Sequence, residues 1–115
     1  MIFNDIEMKV IEKELEEFLD KRRLPVEMRH RLDINYKIEN QSILIYEIRS
    51  GWIKPDETTE TPVAKATFVI TRNVWEIWLP QPGLKWHVYE PVPEVNTVRE
   101  FLTIVDEDDH LYFWC

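Results

Sequence analysis

The most constraining feature of this sequence is a strict alternation of apolar and polar residues from Leu32 to Glu39. A side-chain period of two is that of a half-buried β-strand. The alternation resumes over residues 44–48, after a break at Asn40, Gln41 and Ser42. We therefore predict two antiparallel strands joined by a three-residue loop. In that register six residues of the two strands lie on one apolar face: Ile34, Tyr36, Ile38, Leu44, Tyr46 and Ile48.

Two further strands are predicted after a long exposed loop. Residues 50–62 have no periodicity and contain one glycine and two prolines, as loops do. The strands cover residues 63–71 and 74–79 and are joined by Arg72 and Asn73 in a two-residue turn. This turn pairs Ile70 with Trp75, Phe68 with Ile77 and Ala66 with Leu79 on one face. Lys65, Thr67, Val69, Glu76 and Trp78 share the other face.

A fifth strand is predicted within residues 84–91, which read LKWHVYEP. Successive side chains of a strand point to opposite sides. We assign the more apolar set, Leu84, Trp86 and Val88, to the core. The opposite face then receives Lys85, His87 and Tyr89.

Helices are predicted at both ends of the chain. Asn4 and Glu7 have capping-box spacing and precede an apolar stripe over residues 5–21. Pro25 suits the start of a short second helix over residues 25–31. Thr97 and Glu100 form a second capping box before an apolar stripe that ends at the acidic residues 106–109. Acidic charge is unfavourable at a helix C-terminus, so we interpret this run as an indication of function.

These elements predict an α+β fold. The architecture is an antiparallel meander of about five strands, with the N-terminal and C-terminal helices packed on one face. The length of 115 residues fits a single globular domain. Within it, residues 1–31 form a helical part, residues 32–90 the sheet, and residues 91–115 a helix and tail.

Composition restricts the partners. The chain has 22 acidic and 14 basic residues, and a net charge of -8 makes nucleic acid an unlikely partner. The single cysteine, Cys115, forms no internal disulfide, which suits a reducing compartment. The N-terminus lacks the apolar core of a signal peptide, and no run approaches the roughly 20 apolar residues of a membrane span. We predict a soluble, cytoplasmic protein.

Most catalytic motifs are excluded. With only Gly51 and Gly83, the chain has no P-loop, no dinucleotide fingerprint and no G-x-S-x-G elbow. Its serines, Ser42 and Ser50, lie in predicted turns, which gives no activated nucleophile. No cofactor is predicted.

Two enzymatic alternatives remain. His87, Asp106, Asp108 and His110 are suitable metal ligands, although none has a recognised spacing, and solvated carboxylates are the simpler interpretation. They define a possible metal-dependent hydrolase or nuclease. His87 could also work as a general acid or base with Glu76 or Glu90, against the simpler alternative of a surface histidine.

A third alternative is an RNA-binding regulator. Residues 21–31 carry five of the fourteen basic residues, Lys21, Arg22, Arg23, Arg29 and Arg31. Such a segment beside an exposed aromatic side chain can hold RNA by charge and stacking. Its simpler interpretation is that the first three residues stabilise a helix end and the others pair with the acidic first helix.

The remaining candidate is the second face of the sheet. Lys65, Trp78, Lys85, His87 and Tyr89 would share it, mixing flat aromatic rings with hydrogen-bond donors as binding surfaces do. Its simpler interpretation is that a helix covers this face.

Three segments point to a known family. They are TPVAK at residues 61–65, LKWHVYEP at residues 84–91 and VDEDDHLYFW at residues 105–114. The chain resembles a small bacterial family, the domain-of-unknown-function family with serial number three thousand and twenty-four. The resemblance extends from residue 21 to the end, and it implies a compact bacterial domain without an assigned activity. From the alternation in the fifth strand we predict a non-enzymatic binding module that engages a protein or a small polar ligand through Trp78, Lys85, His87 and Tyr89.

Overall fold

A computed structural model describes residues 3–29, 32–51, 56–81, 85–108 and 112–114. Within these residues the fold is α+β, as predicted, with a helix toward each end and an antiparallel sheet between them. The elements are α1 (Asp5–Arg22), a 3-10 helix (Val26–Met28), β1 (Leu32–Glu39), β2 (Ser42–Ser50), β3 (Thr58–Val69), β4 (Val74–Gln81), β5 (Lys85–Val88), β6 (Glu94–Val95) and α2 (Val98–Glu107). The strand order β1-β2-β3-β4-β5 confirms the meander, and the unpredicted β6 pairs with β4.

Both helices begin at the predicted caps. The Glu7 amide donates to Asn4 Oδ1 at 2.8 Å, and the Asn4 amide donates to Glu7 Oε1 at 3.1 Å. The Glu100 amide donates to Thr97 Oγ1 at 3.1 Å. The short second helix is a single 3-10 turn, and the predicted residues 30–31 lie outside the described part of the chain. Among the helices described, none is long and apolar enough to cross a membrane.

The core lies between the two helices and one face of the sheet. Leu15 from α1 and Phe101 and Val105 from α2 are fully buried. They belong to the same cluster as fully buried residues of three strands, Ile43, Ile45, Ala64, Ala66 and Ile77. The other face of the sheet lies opposite α1 and α2, and we call it the open face.

The predicted pairing of β1 with β2 is wrong by one residue. Ile38 pairs with Ile43 and Tyr36 with Ile45, because the turn contains only Asn40 and Gln41. Asn40 adopts a φ of 52°, a conformation that asparagine tolerates better than most residues. A shift of one residue exchanges the faces of a strand. Residues 43 and 45 therefore enter the core, and residues 44, 46 and 48 lie on the open face.

The predicted pairing of β3 with β4 is wrong by two residues, which preserves the faces. Phe68 pairs with Trp75 and Ala66 with Ile77, since the turn spans residues 70–73. The predicted long loop is also too long, because β3 begins at Thr58. A bulge shifts the register so that Pro62 pairs with Tyr46. Bulges are among the few places where a strand accepts proline.

Side chains occupy backbone groups of the outermost strand, β1. The Ile34 amide donates to Asp33 Oδ1 at 2.8 Å, and the Tyr36 amide donates to Asn35 Oδ1 at 2.8 Å. The Arg23 Nε atom donates to the Ile34 carbonyl at 3.2 Å and to Asp33 Oδ1 at 3.0 Å. Three backbone groups of β1 are thereby satisfied without a further strand.

The acidic run at residues 106–109, interpreted above as an indication of function, includes a residue with a structural role. Asp108 is only 5% exposed and adopts a φ of 45° at the end of α2. Its Oδ1 accepts the amides of Tyr112 at 2.8 Å and Phe113 at 3.1 Å, and its Oδ2 accepts the amide of Trp114 at 3.1 Å. Asp108 therefore fixes the C-terminal segment against the domain.

Candidate functional site

The predicted orientation of β5 is wrong. Trp78 pairs with Val88, Pro80 with Trp86 and Leu79 with His87. Directly opposed residues of antiparallel strands point to the same side of the sheet. The indole of residue 86 therefore lies on the open face, and His87 lies on the side of the helices.

The C-terminal segment accounts for this orientation. Tyr89 is only 2% exposed, and its ring centroid lies 4.9 Å from that of Phe113 and 6.0 Å from that of Tyr112. Tyr89 thus has a ring partner, Phe113, in the core. Alternation shows which residues of a strand share a side, but both sides of β5 carry a large aromatic ring. The more apolar set of side chains in this strand therefore did not identify the side that is buried.

The structure divides the predicted binding face into two parts. Lys65 and Trp78 lie on the open face, directly paired across β3 and β4. Lys85 and His87 are exposed on the other side of the sheet, and Tyr89 is buried in the core. Trp86 also lies on the open face, whereas the sequence pattern predicted it in the core, because nothing in that pattern indicates that the C-terminal segment buries Tyr89.

A lysine lies beside two indole rings on the open face. The Lys65 ammonium is 4.6 Å from the ring centroid of Trp86 and 5.5 Å from that of Trp78. Both distances are within the range of cation–π attraction. We call Lys65, Trp78 and Trp86 the indole–lysine cluster.

The charge of Lys65 is only partly compensated. Burial lowers the pKa of Lys65, while the negative charge of Glu39 acts in the opposite direction. Among the described residues, no carboxylate forms an ion pair with Lys65. The indole Nε1 of Trp78 is also buried and has no hydrogen-bond partner within the same ranges. The cluster therefore holds two donors without acceptors.

A cleft of about 350 Å³ adjoins the cluster, and we call it the open-face cleft. It lies between the β1–β2 turn and the indole of Trp86. Its lining residues are Glu39, Asn40, Gln41, Ser42, Leu44, Lys65 and Trp86.

The turn that borders the open-face cleft is anchored to β3. Gln41 Nε2 donates to the Phe68 carbonyl at 3.0 Å, and the Phe68 amide donates to the Gln41 carbonyl at 2.8 Å. The hydroxyls of Ser42 and Thr67 are 2.9 Å apart. Binding sites are most precise when neighbouring hydrogen bonds hold their walls, as they do here.

A larger cleft of about 580 Å³ lies at the sheet edge and is lined in part by His87, Glu90 and Tyr112. His87 Nε2 lies 4.0 Å from Glu90 Oε1, which is too long for a hydrogen bond. Glu76, the other suggested partner of His87, lies on the open face opposite Thr67. The predicted acid–base pair is therefore not assembled.

A family model decides the assignment. The model of the Domain of unknown function family DUF3024 matches residues 3–115. The chain belongs to the DUF3024 family. Neither a curated protein nor a solved structure is significantly similar to it.

Several described residues of the other suggested sites of this DUF3024 domain make structural contacts. No three potential metal ligands cluster in the ranges that the structure covers, and His110 is not within them. Asp106 binds Arg22 at 3.0 Å and Lys21 at 3.6 Å, and Arg23 pairs with Asp33 at 3.0 Å.

The first three residues of the basic segment have a structural role, because they pair with acidic side chains of α2 and β1. Arg29 donates to the Leu24 carbonyl at 2.9 Å instead of pairing with α1. Arg31 is outside the described part of the DUF3024 domain.

Proposed function

We propose that this domain is a non-enzymatic binding module and that it binds a small polar ligand in the open-face cleft. The observation that carries the proposal is the position of Lys65. Its ammonium contacts two indole rings, lines the cleft, and has no carboxylate partner among the described residues.

Holding the Lys65 ammonium beside two indole rings without an ion pair has a free-energy cost. Lys65 is partly buried, and a charge that is partly withdrawn from water is normally paired because its desolvation is costly. Contact with an aromatic face returns only about 0.5–2 kcal/mol. A ligand that brings an acceptor to Lys65 recovers more of this cost, so the unpaired ammonium favours binding over packing as the role of the residue.

The shape of the site supports the same proposal. Small-molecule pockets combine apolar walls with a few fixed polar groups. Here Leu44 and Trp86 supply apolar surface, Lys65 and Glu39 supply charge, and the turn is held by hydrogen bonds to β3. The volume of about 350 Å³ suits a small ligand and not a polypeptide chain.

A library screen tests the proposal. Some compounds from a mixed library of neutral, cationic, anionic and zwitterionic small molecules are expected to raise the Tm of the wild type, because binding to the folded state stabilises it. Trp86→Ala removes a wall of the open-face cleft and should abolish the shift. His87→Ala, in the edge cleft, is the matched control and should keep it.

Two results would contradict the proposal. One is a library in which no compound raises the Tm of the wild type. The other is a set of stabilising compounds that remain active on Trp86→Ala or lose activity on His87→Ala, since that pattern would place binding elsewhere.

A second expectation concerns Lys65→Met in the absence of ligand. Because burial lowers the pKa of Lys65 in the folded protein, its protonated form destabilises the fold. The unfolded chain binds more protons between the lowered pKa and the ordinary lysine value of about 10.4, so the contribution of this residue to stability rises with pH there. The advantage of the methionine variant over the wild type should therefore be larger at pH 7 than at pH 10.

Urea denaturation of both proteins at the two pH values measures this difference. Lys85→Met removes an exposed lysine on the other side of the sheet and is the matched control, against which the advantage of Lys65→Met is compared at each pH. An advantage of Lys65→Met that grows with pH would contradict the assigned cost of the partly buried ammonium.

A further inference from the structure

Resting on the proposed function, we infer that the ligand of the open-face cleft is a small zwitterion of the free α-amino acid type. Its carboxylate binds the Lys65 ammonium, its ammonium binds the Glu39 carboxylate, and its apolar side chain lies against Leu44 and Trp86.

Two opposite charges line the same cleft without pairing. Lys65 and Glu39 both border the open-face cleft, and no ion pair joins them. The charge of Glu39 nevertheless raises the pKa of Lys65 against the effect of burial, so the two groups interact across the cleft. A ligand with one charge of each sign satisfies both walls, because complementary charges are attracted and like charges are repelled.

The same pair of charges disfavours the other simple ligands. A multiply charged anion such as phosphate would be attracted by Lys65 but repelled by Glu39. A simple cation would be repelled by the ammonium that already lies beside the two indoles. Each of these ligands leaves one wall of the cleft with a repulsive contact.

Two of the neutral polar groups beside Glu39, those of Gln41 and Ser42, are already engaged. The Gln41 amide donates to the Phe68 carbonyl, and the Ser42 hydroxyl is paired with that of Thr67. Glu39 is exposed and has no ion-pair partner among the residues described. It is the only carboxylate among the described residues that line the cleft, and therefore the charged group that can bind a ligand ammonium.

The size of the cleft limits the ligand to about the size of one amino acid. Its volume of about 350 Å³ is near the lower end of the roughly 300–1,000 Å³ found for ligand pockets. Leu44 and Trp86 are half-buried and form the apolar part of the lining. This wall favours a branched or aromatic side chain over a polar one.

Calorimetric titration with three matched probes tests the inference. L-leucine carries both charges, N-acetyl-L-leucine lacks the ammonium and L-leucinamide lacks the carboxylate. L-leucine should bind the wild type most tightly. Lys65→Met and Glu39→Gln should each weaken it by at least about tenfold, the effect of losing one charge-assisted hydrogen bond.

The two variants should separate the probes. N-acetyl-L-leucine should bind Glu39→Gln no more weakly than the wild type, and L-leucinamide should be similarly insensitive to Lys65→Met. Lys85→Met and Glu90→Gln make the same charge changes outside the open-face cleft and should leave L-leucine binding within about twofold.

The outcomes distinguish the inference from the proposed function. If all three probes bind equally and Trp86→Ala abolishes the binding of all of them, the inferred zwitterionic ligand is wrong but the proposed binding site in the open-face cleft is supported. If L-leucine is lost in Lys85→Met or Glu90→Gln instead, both are wrong. If no probe binds the wild type, the zwitterion is wrong, and the library screen alone decides the proposed function.

Discussion

Replacing Asp108 by alanine is expected to lower the free energy of unfolding by about 3 kcal/mol, one of the two largest effects predicted for this protein. The carboxylate accepts three backbone amides from residues 112–114 and is almost fully buried. Alanine leaves those donors without acceptors. It also disfavours the left-handed backbone at this position, which aspartate tolerates.

Two neighbouring variants control this measurement. Asp108→Asn keeps one acceptor oxygen and a side chain that accepts left-handed backbone, so it should lose roughly half as much stability. Glu107→Ala changes the adjacent exposed carboxylate and should stay within about 0.5 kcal/mol of the wild type. Urea denaturation followed by circular dichroism gives all three values. Equal midpoints for Asp108→Ala and Glu107→Ala would contradict the structural role of Asp108.

Replacing Tyr89 by alanine is expected to cost about 3–4 kcal/mol, because it removes a buried ring and leaves a cavity. The ring is 2% exposed and contacts Phe113 in the core. Tyr89→Phe keeps the ring and should cost much less. His87→Ala changes the exposed neighbour on the same side of β5 and should stay within about 0.5 kcal/mol of the wild type.

This comparison tests the orientation of β5 directly. The orientation first predicted from the sequence leaves Tyr89 on a surface, where its truncation would be nearly neutral. Denaturant midpoints of the three variants decide between the orientations. If Tyr89→Ala does not fold, Tyr89→Leu retains more apolar volume and should show an intermediate loss. A midpoint of Tyr89→Leu equal to that of the wild type would contradict the buried position.

Sequence signals predicted the helices and strands well because they depend on interactions between residues that are close in sequence. The pairs Asn4–Glu7 and Thr97–Glu100 mark the starts of both α-helices, and the apolar stripes that follow identify their buried faces. Strand alternation and turn residues likewise predicted an antiparallel meander. Each of these signals acts over only a few residues and needs no knowledge of the remaining chain.

Strand pairing was harder to predict because it depends on turn geometry. Asn40 and Asn73 both adopt positive φ, and each occupies a turn whose length differs from the predicted one. A change of one residue at Asn40 exchanged the faces of β2, whereas a change of two residues near Asn73 preserved those of β4. Hydrophobic pattern alone could not correct the first error, since both sides of β2 are apolar.

The candidate site was half predictable for a related reason. Lys65 and Trp78 were found from alternation along β3 and β4. Trp86 was not, because its assignment required knowing that the C-terminal segment buries Tyr89. That contact joins residues distant in sequence, and Asp108, which holds the segment in place, had no structural interpretation at that stage.

The hydrogen bonds along β1 have a consequence for the behaviour of many copies of this chain. A strand at the border of a sheet is a template for intermolecular pairing and so for aggregation. Here the amides of Ile34 and Tyr36 and the carbonyl of Ile34 already have intramolecular partners. A second molecule that added a strand along this border would first have to displace Arg23, Asp33 and Asn35. The polar side chains at this border therefore oppose fibril growth without requiring a covering helix.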